Sequence, residues 1–384
     1  MNLVFSSYDS PANSFYGGGG AAAVHEVARR LARAHTVRVI TGASPGVQPG
    51  QVDGVTYRPI GWAAAGPKLG QLLFHGLLPW QLSRHPSDLW YKSLTPPFST
   101  SCLPVFTRRP VVALTQVLAG EAMRRKYHLP FDRLERAGLT RYQWAIATSE
   151  YLRSKLLSAN PHLTLAVIPN GVPGEWLQLD PGRAQRHILF LGRLDVEQKG
   201  LDLLLDAIAT VRTRLPLPVV VAGTGPPAEE AFVRRRIASL GLDAHVRLLG
   251  KVVGEAKQAV LRDAAFLVMP SRFEASPLVL REAACFRLPT ICFDIPELSD
   301  VPESVVIKVP AFEVDALGSA IVALAGDAER RRTFGQAAHA YAREFDWDRI
   351  AERYEDFFRQ VARNHPGTGR TFGGTNASGP ADGG

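Results

Sequence analysis

The run AAFLVM at residues 264–269, continued by PSRFEASPLVLREAA at 270–284, constrains the fold more than any other stretch. Six apolar residues in succession read as a buried strand end. Pro277 has no N–H and a fixed φ, so it suits the first position of a helix. The chain is therefore expected to leave the sheet, present Glu274 on a short loop, and begin a helix at about Pro277. The free amides of Leu278 and Val279 would face out of the strand ends, and such a helix start attracts anions, most naturally phosphate. A carboxylate beside it must accept hydrogen bonds from something else, and sugar hydroxyls are the obvious donors. Glu282 follows about two turns later. The competing reading is a surface loop with two solvated glutamates.

A second constellation spans His187 to Ile208, HILFLGRLDVEQKGLDLLLDAI. HILFL is a short apolar strand, Gly192 turns the chain, and Arg193 sits at the strand's carboxyl end. Lys199 and Gly200 precede a helix with apolar residues at Leu201, Leu204, Leu205, Ile208 and Val211, a helical period. Ligands of open α/β sheets bind outside the carboxyl ends of the strands. Two cations there can hold a diphosphate, Arg193 as a planar fork and Lys199 as a point charge.

The third piece, LPVVVAGTGPPAEEAF from Leu217, predicts a strand ending at Ala222, a turn through Gly223, Thr224 and Gly225, and a helix led by Pro226 and Pro227. Gly223, Gly225 and Ala228 match G-x-G-x-x-A nominally. A dinucleotide site also needs an acid at the end of the next strand. That strand, HVRLLG, ends at Gly250 with Asp243 before it, so an NAD-linked oxidoreductase loses its discriminating residue. A tight turn that lets the backbone approach a nucleotide is retained.

Taken in order, G-R-L-D-V-E-Q-K-G, A-G-T-G-P, L-L-G-K-V and P-S-R-F-E-A-S-P-L-V-L-R-E-A resemble the retaining GT-B glycosyltransferases of family 4, the glycosyl transferases group 1. An early strand LVFSS, Gly17 to Gly20 opening a helix, ATSEYLRSKL and VIPNGV (Val167 to Val172) are similar to amino-terminal segments of that family. The resemblance covers about residues 1–363. It implies two Rossmann-like domains facing each other across a cleft. Arg193 and Lys199 then correspond to the cations that hold the donor diphosphate and stabilise the departing nucleotide. Glu274 corresponds to the carboxylate on the donor sugar hydroxyls, and Glu282 to the one on the ribose. The Leu278 amide resembles a phosphate donor, and Gly18 and Gly19 the loop over diphosphate and acceptor. One departure stands out. After the fourth amino-terminal strand many relatives carry a histidine near the transferred sugar, whereas VVALTQVLAG places Gln116 near that position; glutamine hydrogen-bonds a hydroxyl but carries no proton. His128 is the alternative if the alignment slips.

At 384 residues with 46% hydrophobic content, the chain is long enough for two cores. Strand-like runs alternate with helical ones, as parallel α/β sheets require. The expected division is an acceptor-side domain over 1–170 completed by a carboxyl-terminal helix at 346–363, a donor domain over 171–345, and a disordered polar tail over 364–384. The linker signal is PNGVPGEWLQLDPGRAQ at 169–185. No run of eighteen apolar residues occurs, MNLVFSSYDS reads as a first strand rather than a leader, and Cys102, Cys285 and Cys292 lack metal spacing and read as reduced thiols. A cytoplasmic location is expected from these features.

Charge is divided unevenly. Residues 1–170 hold 18 Lys and Arg against 8 Asp and Glu, a net of +10, while residues 171–384 hold 26 against 28. Arg124, Arg125 and Lys126 form a cluster, with Arg133, Arg136 and Arg141 beyond. A basic face of this kind suits the inner surface of an anionic membrane, at about 1 kcal/mol per residue, or a lipid-linked or anionic acceptor; the alternative is a solvated basic face. No recognition motif for nucleic acid appears. The function expected is transfer of a sugar from a UDP- or GDP-linked donor to an acceptor hydroxyl with retention of configuration. No metal or other cofactor is expected, since Arg193, Lys199 and helix-start amides supply positive potential. A non-catalytic nucleotide-sugar-binding protein is the rival, motivated by Gln116.

Overall fold

The computed structural model describes residues 1–13, 19–94, 102–180, 185–274 and 276–365. In chain order the first part comprises β1 (Asn2–Ser6), α1 (Gly19–Leu31), β2 (Thr36–Gly42), β3 (Gly50–Val52), β4 (Val55–Ile60), α2 (Gly66–Arg84), β5 (Leu89–Leu94), β6 (Val111–Thr115), α3 (Gly120–Tyr127), α4 (Phe131–Leu139), β7 (Trp144–Ala147), α5 (Glu150–Ala159) and β8 (Thr164–Val167). The second comprises β9 (His187–Leu191), α6 (Val196–Lys199), α7 (Leu201–Val211), β10 (Val219–Ala222), α8 (Pro227–Ser239), β11 (Val246–Gly250), α9 (Gly254–Asp263), β12 (Ala264–Met269), α10 (Leu278–Cys285), β13 (Thr290–Phe293), β14 (Val306–Val309), α11 (Val314–Gly326) and α12 (Ala328–Ala342). The last helix, α13, is Trp347–Asn364.

Two sheets result. The first has the order β3-β4-β2-β1-β5-β6-β7-β8 and the second β11-β10-β9-β12-β13-β14. Every pairing is parallel except the β3–β4 hairpin. β5 and β12 are buried along their whole length, which is what parallel strands covered on both faces demand. In each sheet the order reverses at one place: between β1 and β5 in the first, between β9 and β12 in the second. A crevice opens there at the carboxyl ends. The loops leaving β9 and β12 carry Arg193, Lys199 and Glu274, so topology delivers three predicted residues to one crevice.

Helix α13 buries Ile350, Tyr354, Phe357, Phe358 and Val361, spacings of three, four and one that make a single stripe. The stripe joins the core of the first sheet with Phe5, Tyr91 and Trp144. Arg30 of α1 and Arg33 just beyond it meet Asp348 at 2.7 and 3.1 Å, and His35 meets Glu355 at 3.0 Å. The chain thus passes between the sheets twice, and the two passages pair with each other. The Val172 amide donates to the Phe345 carbonyl at 2.7 Å, and the Trp347 amide to the Val172 carbonyl at 3.1 Å. Gly171 packs so tightly there that a Cβ would lie 2.6 Å from the Trp347 ring and 2.8 Å from the Phe345 oxygen. Asn364 closes α13 rather than opening the polar tail, whose remaining residues, 366–384, lie outside the described ones.

Candidate functional site

The loop after β9 is built around Asp195. Its carboxylate accepts from the Gln198 amide at 2.9 Å and caps the single turn α6, which ends at Lys199. Gly200 follows with φ +63°, and a Cβ on it would sit 1.9 Å from the Pro270 carbonyl oxygen at the end of β12. Only glycine allows that approach, and it sets Lys199 against the loop after β12. The two loops are then stitched: the Arg272 amide donates to the Gln198 carbonyl at 2.9 Å, and the Arg272 guanidinium grips Asp202 at 2.9 and 2.6 Å and the Val196 carbonyl at 3.0 Å. Burial alone would raise the Asp202 carboxyl, but the Arg272 bond and charge outweigh it and leave the group below its ordinary value.

Glu274 emerges from this frame only 6% exposed, which rules out a solvated loop glutamate. Lys199 Nζ and Ser271 Oγ both donate to its Oε1, each at 2.6 Å. Oε2 takes no hydrogen bond among the described residues and keeps its lone pairs for another donor. Glu282, one turn into α10, accepts from Lys257 of α9 at 2.6 Å; the ammonium of Lys257 also lies 5.8 Å from the Trp176 ring centroid.

Arg193 stands apart from these pairs. Its side chain is 55% exposed and Nη2 donates to Asp195 and Gln198, each at 2.9 Å. Pro277 is not the first helical residue: its ψ of 108° makes it the N-cap, and α10 starts at Leu278. The correction preserves the electrostatics, because the amides of the first turn are still without intrahelical acceptors.

Gly223 forms the expected tight turn, and its amide is engaged within the protein. The tight turn exists, with φ +145°, but a Cβ would fall 1.7 Å from the Gly192 carbonyl oxygen. Its amide already donates to the Gly250 carbonyl at 2.8 Å. Both features lock the loops after β9, β10 and β11 to one another, so the close approach serves loop packing, and its amide is not free for a nucleotide. The Leu194 amide, donating to the Thr224 carbonyl at 2.9 Å, completes the lock.

From the first sheet, α1 begins at Gly19, and a Cβ there would meet the Leu278 side chain at 2.9 Å. The starts of α1 and α10 therefore converge across the crevice, and two helix amino termini face one space. Gln116 directly follows β6 and its amide reaches the Gly20 carbonyl at 3.5 Å. By chain order β6 is the sixth strand, because the β3–β4 hairpin adds two to the count. His128 is exposed, in the left-handed conformation at the end of α3. Gly18 and the side chain of Lys126 lie outside the described residues.

Sequence reasoning missed Ser271, Lys257, Arg272 and Asp202, the residues that hold the predicted ones. Their only signal was proximity to the motifs. Asp346-Trp347-Asp348, a D-x-D spacing, is engaged elsewhere: Asp346 caps α13 through the Asp348 amide at 2.9 Å, and Asp348 pairs with Arg30 and Arg33. No helix among the described residues is long and apolar enough to cross a membrane.

Comparison with known proteins agrees with this geometry. The glycosyl transferases group 1 model matches residues 185–327, and the glycosyltransferase family 4 model residues 17–176. The phosphatidyl-myo-inositol mannosyltransferase of Mycobacterium leprae is 30% identical over 204 residues, 51% of this chain and 53% of that protein. The GDP-mannose:cellobiosyl-diphosphopolyprenol alpha-mannosyltransferase of Xanthomonas campestris is 31% identical over 255 residues, 63% of each chain. The matched region thus spans between about half and 63% of these relatives' own length. Sucrose-phosphate synthase from Thermosynechococcus elongatus superimposes with a TM-score of 0.79 over 94% of this chain and 99% of that one, at 19% identity, and shares the two-domain arrangement. Matched over residues 17–176 and 185–327 by these two models, the chain belongs to glycosyltransferase family 4, the glycosyl transferases group 1.

Proposed function

We propose that this protein transfers a sugar from a nucleotide-diphosphate sugar, UDP- or GDP-linked, to an acceptor hydroxyl with retention of configuration and without a metal. The observation that carries the reading is Glu274: a buried carboxylate at the switch point of the second sheet, with Oε1 tied to Lys199 and Ser271 and Oε2 without a hydrogen bond among the described residues. A diphosphate placed at the start of α10 meets the Leu278 amide, Lys199 and, from the exposed side, Arg193. These charges stabilise the negative charge that grows on the departing nucleotide. Oε2 of Glu274 accepts from hydroxyls of the transferred sugar, and Glu282 from those of the ribose. The donor phosphate itself takes the acceptor proton as the bond to the leaving group breaks. Gln116 and Gly19 at the start of α1 face the sugar from the first domain. Under this reading residues 171–345 form the donor half. Residues 1–170, with the helix at 346–363, form the acceptor half.

Nucleotide-sugar turnover tests this directly. Purified protein should release UDP or GDP from one of a panel of UDP- and GDP-sugars, with the released or transferred sugar keeping its anomeric configuration. Tight nucleotide binding with no release from any of them would instead favour the non-catalytic binding protein that Gln116 suggests.

The acceptor is proposed to be lipid-linked or anionic, with the first domain resting on the inner face of an anionic membrane. Both curated relatives named above carry lipid-borne acceptors in their names. Beside the basic excess, the first domain exposes Trp62, Leu69, Leu72, Trp80, Val105, Phe106, Leu129 and Leu134. Arg84 stacks 3.2 Å from the Trp80 ring centroid. Tryptophan beside arginine suits a headgroup layer. Liposome binding should rise with anionic lipid and fall steeply with salt, and Arg124→Glu with Arg125→Glu and Lys126→Glu should abolish it while nucleotide affinity stays unchanged. Indifference of the wild type to anionic liposomes at low salt would remove the membrane from this proposal.

A further inference from the structure

Arg281 lies on α10, one residue before Glu282, and is 6% exposed. A buried arginine is costly unless its charge and donors are used, and a leucine would fill a helix core position more cheaply. The partners it has are informative. Nη1 donates to Ser276 Oγ at 2.9 Å. The guanidinium lies 4.6 Å from the centroid of the Phe345 ring. It also lies near Tyr341, and the charge of Asp300 favours its protonated form.

These contacts add a second tie between two places that one backbone acceptor already links. Ser276 belongs to the loop between Glu274 and α10, and its carbonyl accepts from Asn170 Nδ2 at 3.3 Å. Asn170 leads into Gly171 and Val172, the first passage between the sheets. Phe345 belongs to the second passage and accepts the Val172 amide. One planar fork therefore touches the loop that bears Glu274, while its ring partner is hydrogen-bonded to the first passage. The same neighbourhood carries a direct contact between the domains: the Glu150 amide at the start of α5 approaches Asp300 Oδ2 at 3.4 Å.

We propose that Arg281 is a positioning residue, holding the Glu274 loop through Ser276 so that the carboxylate is correctly placed only when both inter-domain passages are seated. The inference rests on the donor-sugar reading of Glu274 and adds to it the residue that couples that carboxylate to the arrangement of the domains. Lysine cannot replace the fork, since a single ammonium does not reach a hydroxyl and stack on a ring together.

The test compares Arg281→Met, Arg281→Lys, Ser276→Ala and Glu274→Gln in a donor-turnover assay, with UDP and GDP affinities measured by calorimetry. Misplacing a catalytic group by about 1 Å costs on the order of 100-fold. Arg281→Met is expected to lower kcat by roughly 10- to 100-fold and Ser276→Ala by less, with nucleotide Kd unchanged, because Glu282 and the helix start remain. Arg281→Lys should recover little. In the Glu274→Gln background Arg281→Met should cost nothing further, since both act through one carboxylate. Should Arg281→Met fail to fold, Ser276→Ala alone decides, as it leaves the guanidinium in place. Normal turnover in Ser276→Ala, or an undiminished Arg281→Met effect in the Glu274→Gln background, would overturn the inference while leaving the donor reading intact. Normal turnover in Glu274→Gln would sink the donor reading and this inference with it.

Discussion

Lys199 and Lys92 are both withdrawn from water, one in each domain, and their surroundings are opposite. Lys199 is 18% exposed at the rim of the second sheet and its ammonium meets the Glu274 carboxylate at 2.6 Å. Lys92 is fully buried on β5, where Nζ donates to the Ser93 carbonyl at 2.9 Å and faces the Phe74 ring at 5.3 Å. Among the described residues Lys92 has no carboxylate partner, and the titratable neighbour supplied by α2 is His75, whose pKa is lowered first by burial and then by the charge of Lys92. The contrast separates two uses of a buried amine. At the rim of the second sheet the amine is matched by a carboxylate. Under α2 burial lowers the pKa to about 7, so the amine is held near its own neutralisation point.

The largest effect that would break this comparison is catalytic. Lys199→Ala should lower kcat/KM by about 2.7–4 kcal/mol, the usual loss for one preorganised donor. It also leaves Glu274 buried beside a single hydroxyl donor. Arg193→Ala should be damaging but milder, because an exposed guanidinium already shared between Asp195 and Gln198 is screened by solvent. Near-normal kcat/KM in both would remove the donor assignment, and a larger loss for Arg193 would invert the ranking.

The second test concerns stability. The lysine pKa is 10.5 unfolded and about 7 folded, so the unfolded chain binds the extra proton between those values. Stability should therefore rise with pH across that window and reach its floor below about 7. At roughly 1.4 kcal/mol per unit the penalty at neutral pH is a few kcal/mol. Lys92→Met should raise Tm at pH 7 and flatten its dependence on pH between 7 and 10. A thermal melt series showing the same slope in both proteins would mean that Lys92 is compensated.

The smallest effects sharpen the assignment of the two carboxylates. Glu282→Ala should weaken free UDP or GDP binding by about 1.5–3 kcal/mol, the cost of losing hydrogen bonds to a charged group. Glu274→Ala should leave that affinity unchanged while depressing transfer. Calorimetry giving the reverse pattern would exchange the two roles.

The strand–turn–helix blocks were legible in the sequence because each depends on neighbours within a few residues. The apolar run of β12, the period of α7 and the glycine turns after β9 and β10 all carry their own cause. The parallel sheets follow from that alternation, and the gathering of Arg193, Lys199 and Glu274 follows from the rule that ligands sit at strand carboxyl ends. The fine state of each group was not legible. Gly223 looks the same in sequence whether its amide meets a phosphate or, as here, the Gly250 carbonyl. Pro277 differs from a first helical residue only in ψ. Glu282 gives no sign of Lys257, 25 residues earlier, and Arg281 none of Phe345. Periodicity and turn chemistry act along the chain, so the sequence by itself determined the elements, their class and the motifs they carry. Ion pairs and close backbone approaches act through space between segments far apart in the chain. Only the tertiary structure therefore decided which lysine receives a carboxylate, which amide is engaged by a distant carbonyl, and which arginine touches both Ser276 and Phe345.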